Sequence, residues 1–151
     1  MRLILEQVIP VTALYRYPIK SVSHEKLTSV AVDEFGIEGD REFAFVSESN
    51  KILTQRELPL LSLIQVRSFT DGELILEIAG SSYSVKWKLG PTLEAQLFSK
   101  TRPIQMLDTG VQLEPIRKFL NFPVRLGKRT PYSGDKKFLF DQGELLLINQ
   151  K

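Results

Sequence analysis

The chain contains no cysteine. That single absence removes disulfides, thiolate zinc sites, iron–sulfur clusters and a cysteine nucleophile. Histidine is almost as scarce, with His24 alone. An imidazole-based metal site or a Ser-His triad needs positioned partners that one histidine does not supply. Between Ser23 and Glu25-Lys26 it reads as a solvated loop residue, and neither a catalytic nor a metal-ligating residue is expected. An excess of charge of one sign is also missing. Lys plus Arg number 20 against 18 for Asp plus Glu, and a net charge of +2 creates no broad field to attract nucleic acid or a membrane. Long apolar runs are absent from the start of the chain, where Glu6 and Gln7 interrupt Leu3-Ile4-Leu5. The stretch is too short and too polar for a signal peptide or a membrane span, so a soluble, cytoplasmic protein is expected.

What is present is an ordinary globular composition: 151 residues, 42% hydrophobic and 25% charged, with no repeat or low-complexity tract. One compact unit follows as the default. From Val11 to Trp87 the signals are those of strands, including the runs Val30-Ala31-Val32 and Phe43-Ala44-Phe45-Val46. Asp71-Gly72 predicts a hairpin with a type I′ turn, between a strand around Ile64 and Val66 and a return from Leu74 to Ile78. After Gly80-Ser81-Ser82, Tyr83, Val85 and Trp87 alternate with polar residues and predict the third strand of an antiparallel meander. Trp87, Phe43 and Phe45 are expected in the core.

Residues 92–98 fit either a short helix, from Leu93 and Leu97 at i,i+4, or a strand. The spacing of Ile116, Phe119 and Leu120, with Pro115 in a first turn and Pro123 beyond, predicts a helix near 112–121. Val124-Arg125-Leu126 resumes a strand, residues 128–137 read as an exposed loop, and Leu145-Leu146-Leu147-Ile148 as a buried strand. The expected fold class is therefore mainly β, a barrel-like antiparallel sheet with one or two short helices.

Two clusters combine basic groups with tight turns: Tyr17-Pro18-Ile19-Lys20-Ser21 and Gly36-Ile37-Glu38-Gly39-Asp40-Arg41. Lys20 and Ser21 offer an ammonium and a hydroxyl at a loop, a pair suited to an anion, and Arg41 leads into the Phe43 strand. Thr54-Gln55-Arg56 adds a hydroxyl and another guanidinium at the end of a further strand. Against an anion site stands the ordinary alternative of solvated basic residues, with Asp40 pairing with Arg41 or Arg56. A competing reading takes the basic segment 125–138, with Arg125, Lys128, Arg129, Lys136 and Lys137 beside Tyr132 and Phe138, as a surface for single-stranded nucleic acid. A solvated loop is the better reading there.

The ordered set Tyr17 to Ser21, Gly36 with Asp40-Arg41, then Leu53-Thr54-Gln55-Arg56 with Pro59 and Leu61, resembles the N-terminal β-barrel domain of MOSC proteins. That family includes the C-terminal regions of molybdenum-cofactor sulfurases and the amidoxime-reducing components. The likeness covers residues 8–90 well and 108–126 more loosely. It implies a domain over residues 1–126, with 127–151 as a loop and strand leading into a C-terminal MOSC core domain. It also implies that the cofactor is the molybdenum cofactor (molybdopterin), a phosphorylated pterin bearing the metal. Lys20, Ser21 and Arg41 then grip its anionic part, with Thr54 and Arg56 as additions from motif position. The family's metal-binding cysteine has no counterpart in this sequence. For a complete protein the resemblance implies reduction of N-oxygenated compounds, with an electron-transfer partner, or sulfur transfer. The chain alone is not expected to catalyse either.

Overall fold

The computed structural model describes residues 10–33 and 36–130 of the chain. Its strands are β1 (Leu14–Arg16), β2 (Glu25–Leu27), β3 (Val32–Asp33), β4 (Gly36–Ile37), β5 (Phe43–Val46) and β6 (Gln65–Thr70). They are followed by β7 (Glu73–Ile78), β8 (Ser81–Lys86), β9 (Lys88–Leu97), β10 (Lys100–Asp108), the helix α1 (Glu114–Leu120) and β11 (Arg125–Arg129). Every ladder between them is antiparallel, in a four-stranded sheet of order β5-β11-β10-β9, a three-stranded sheet β6-β7-β8 and the pairs β1-β2 and β3-β4. The mainly β expectation holds. Isolated bridges from Ile52 to Val46 and from Lys51 to Gln96 link the outer strands of the larger sheet, without completing a barrel of continuous ladders.

Strand β5 explains how the core is organised. Successive side chains point to opposite faces, and all four residues of β5 are buried. Phe43 and Phe45 join Val66, Leu74, Leu76, Val85, Ile116 and Leu120 in the main cluster, which binds both sheets and α1 together. Ala44 and Val46 face the other way, into a smaller cluster with Ile52, Ala95, Leu97, Ile104 and Met106. Full burial of a large apolar side chain contributes about 1.5–3 kcal/mol, so Phe43 and Phe45 anchor the heavier side. Gly127 on β11 is needed where the strands crowd. A Cβ there would lie 2.6 Å from Ile104 Cδ1.

The hairpin at Asp71-Gly72 is present, with Thr70 opposite Glu73, but its turn is not type I′. Only Gly72 has positive φ (105°), whereas type I′ requires it at both central residues. The next turn meets that requirement instead, with φ of 49° at Ala79 and 81° at Gly80 between the paired Ile78 and Ser81. Residues 92–97 resolve as strand, since Ala95 and Leu97 are buried and Leu93 half-buried at period 2 against the smaller cluster. The helix prediction over 112–121 is realised as a 3-10 turn at Gly110–Leu113 running into α1. Asn121 ends the helix in the left-handed region at φ 48°.

The exposed loop expected from residue 128 begins later. Lys128 and Arg129 belong to β11, because Lys128 stands opposite Phe43 and its ammonium pairs with Glu42 at 3.1 Å. The rest of that loop and the strand expected at 145–148 lie outside the described residues.

Candidate functional site

Backbone hydrogen bonds draw the first two basic clusters together at the start of β5. The Arg41 N–H donates to the Tyr17 carbonyl at 2.7 Å, Phe43 to Pro18 at 2.9 Å, and Lys20 back to Phe43 at 2.9 Å. The loop at residues 17–21 thus lies along the approach to β5, with a parallel bridge between Ile19 and Phe43. The third segment reaches the same place through Gln55, whose Nε2 donates to the Ser21 carbonyl at 3.0 Å. Sequence reasoning gave Gln55 no role, although it is the middle residue of the Thr54-Gln55-Arg56 motif.

Local geometry at this junction is unusual. Ser21 and Arg41 both sit in the left-handed region, at φ 63° and 48°. An L-residue there costs about 1–2 kcal/mol, and such strain gathers at binding and catalytic sites. Lys20 is 4% exposed, and an ammonium so far from water requires polar or anionic partners. Asp40, also buried, accepts the Tyr17 N–H at 2.7 Å and forms an ion pair with Arg41. Of the two arginines considered for Asp40, Arg41 is its partner. The Arg41 guanidinium lies over the Tyr17 ring, 5.5 Å from its centroid. Carboxylate and ring together fix the direction of the guanidinium.

Thr54 and Arg56 are turned to other contacts. The Thr54 hydroxyl donates to Glu57 Oε2 at 2.6 Å, and its N–H donates to the same oxygen at 3.0 Å. The hydroxyl also accepts the Arg56 N–H at 3.3 Å, while Lys51 pairs with Glu57 at 3.0 Å. Chiefly through the Thr54 hydroxyl, this holds the Glu57 carboxyl at a pKa of about 2. Thr54 is a turn-forming residue in this geometry. The Arg56 guanidinium stacks over Phe98, 5.4 Å from the ring centroid, at the β9–β10 hairpin. Backbone pairing thus brings Lys20, Ser21 and Arg41 into one junction, while Thr54 and Arg56 serve other contacts.

His24 is exposed, with the Tyr15 and Tyr17 rings edge-on at 4.6 and 5.7 Å. In the basic segment, Arg125 donates to Asn50 Oδ1 at 2.7 Å and Lys128 pairs with Glu42, so both act within the fold; residues 131–138 lie outside the described residues. Among the described residues no cluster of His, Asp and Glu is arranged to hold a metal ion, and no helix is long and apolar enough to cross a membrane. Three cavities, of about 290, 420 and 800 Å³, are lined by none of the five residues singled out from the sequence.

Two comparisons concern individual proteins. The chain is 28% identical over 159 residues to a molybdenum cofactor sulfurase of Danio rerio, an alignment covering 92% of this chain. It spans only 19% of that relative's length. A solution structure of a Bordetella bronchiseptica protein aligns with 72% of this chain and 94% of its own, at 16% identity and a TM-score of 0.45. The third comparison is with whole families: a model of the MOSC N-terminal beta barrel domain matches residues 8–113, well over half of the sequence, and the chain belongs to that family.

Proposed function

We propose that this chain forms one side of a binding surface for the molybdenum cofactor, with Lys20, Ser21 and Arg41 gripping the phosphorylated end of the pterin. The observation that carries the reading is the backbone pairing that brings the loop at 17–21 beside Arg41 at the start of β5, with Ser21 and Arg41 on strained backbone. Their chemistry fits a phosphate. Lys20 supplies a point charge, Arg41 a planar fork held in direction by Asp40, and Ser21 a hydroxyl that donates to an anionic oxygen. The bound cofactor would supply the molybdenum centre, and its metal ligand would come from outside this chain, which has no thiolate.

On this reading residues 1–126 are the cofactor-gripping domain and 127–151 lead into a C-terminal MOSC core that completes the pocket. The relative named a molybdenum cofactor sulfurase supports the cofactor assignment. The complete protein would then transfer sulfur, or reduce N-oxygenated compounds with an electron-transfer partner.

Calorimetric titration of the chain with pyrophosphate, and then with molybdopterin, tests the grip. Lys20→Gln and Arg41→Asn each remove a charged donor, and Asn tolerates the left-handed backbone at position 41. Losing a hydrogen bond to a charged group weakens binding about 10- to 100-fold. Undiminished binding in both variants refutes the assignment.

A further inference from the structure

We propose that the 290 Å³ cavity beside the end of β10 is a second ligand site, for a small carboxylate with an apolar body. Its walls come from four parts of the fold: Gly90 and Pro91 on β9, the end of β10 with Thr109, Arg117 on α1 and Arg125 on β11. The β9–β10 ladder shifts register between Gln105 and Leu107, beside this wall. Bulges of this kind are common next to sites, because they re-aim side chains.

Two polar groups on residues lining the cavity lack a hydrogen-bond partner. The Nε of Arg125 is buried and has no hydrogen-bond partner, although the same guanidinium reaches Asn50 through NH2. Thr109 is 6% exposed, and its hydroxyl has no partner among the described residues. The Thr109 hydroxyl keeps accessible surface and can donate to an acceptor oxygen of a ligand, whereas the sealed Arg125 Nε leaves its guanidinium as a positive charge beside the cavity. Arg117 adds a second guanidinium, whose partners are the Val124 carbonyl at 2.9 Å and the largely exposed Glu114. Asp108 is the opposing charge at the wall, and its Oδ1 accepts the Gly110 N–H at 3.1 Å.

The remaining lining sets the other half of the ligand. Leu93, Met106 and Leu107 supply the apolar part of the lining, and a cavity this size holds a small organic molecule. Bare phosphate would meet the polar groups and leave that apolar part unused. The site is separate from the Lys20 surface. Lys20 bonds to Phe43 at the start of β5, whereas Arg125 stands opposite Val46 at its end.

The test is an NMR titration of the isotopically labelled chain with phenylacetate, phenylacetamide and inorganic phosphate in turn. Phenylacetate is expected to give saturable shifts at the Gly90, Thr109 and Gly110 amides. Thr109→Val keeps the volume while deleting the hydroxyl, and is expected to weaken phenylacetate about tenfold, as is replacing the carboxylate by the amide. No saturable shift at these amides, equal binding of phenylacetamide, tighter binding of phosphate, or unchanged affinity in Thr109→Val would each overturn the proposal.

Discussion

Replacing Ser21 by glycine should move stability and anion affinity in opposite directions. The backbone φ of Ser21 is 63°, in the left-handed region. A side chain there costs about 1–2 kcal/mol, while glycine loses about 0.5–1 kcal/mol through the greater freedom of its unfolded chain. The difference favours Ser21→Gly by about 0–1.5 kcal/mol, an increase in Tm of up to about 6 °C for a chain of this size. The contact from Gln55 survives, since it uses the Ser21 carbonyl rather than its hydroxyl. Anion binding loses a charge-assisted donor and should weaken about tenfold or more. Thermal unfolding and calorimetric titration with pyrophosphate read the two effects on one sample. A higher Tm with unchanged affinity removes Ser21 from the site; a lower Tm shows that its side chain holds the fold.

Three further perturbations probe the scaffold. Ala79→Asn places the preferred residue at the first left-handed position of the Ala79-Gly80 turn, and should stabilise by about 1 kcal/mol in chemical denaturation; a loss would contradict a type I′ turn. Gly127→Ala forces a methyl against Ile104 and should cost about 1–3 kcal/mol, partly recovered by Ile104→Val, which deletes Cδ1. Additive effects of the two substitutions would deny the contact. Thr54→Val should let the Glu57 pKa rise from about 2 towards 4.5. Because the folded-state pKa is depressed, the stability carried by Glu57 is present above about pH 4.5 and lost as pH falls through about 2. With the carboxylate near the surface that contribution is about 1 kcal/mol or less. The gap between wild type and Thr54→Val should therefore narrow on acidification from pH 5 to about 2, and a constant gap would assign the cost to packing.

Much of the sheet was legible because its strands obey simple periodicity. In β7, Leu74, Leu76 and Ile78 are buried while Glu73, Ile75 and Glu77 are half-buried, as alternation predicts. Other features turned on information that a local pattern does not hold. Leu93 and Leu97 suit a helix at i,i+4 and a strand at period 2 equally well, and the burial of Ala95 decides between them. A strained alanine carries no turn signature, so the type I′ turn went to Asp71-Gly72 when its backbone belongs to Ala79-Gly80. Lys128 resembled a loop lysine because its partner, Glu42, is remote in sequence. Thr54 could have been read correctly: a threonine followed three residues later by glutamate is a known turn-forming pattern, and Glu57 takes the bonds it implies.

The candidate site was legible only in part, for a physical reason. Residue type and loop position marked Lys20, Ser21 and Arg41 as donors, yet their convergence depends on pairing between the loop at 17–21 and the approach to β5. Strain does not identify a site unaided, since Ala79 and Phe98 also occupy the left-handed region at hairpin turns. Those residues have no side-chain hydrogen-bond donor, and a glycine would serve the same backbone more cheaply. At Ser21 and Arg41 the equally strained positions carry a hydroxyl and a guanidinium, beside the buried Lys20 and with Arg41 held by Asp40. Strain, donor chemistry and convergence coincide there, and turn geometry alone accounts for only the first.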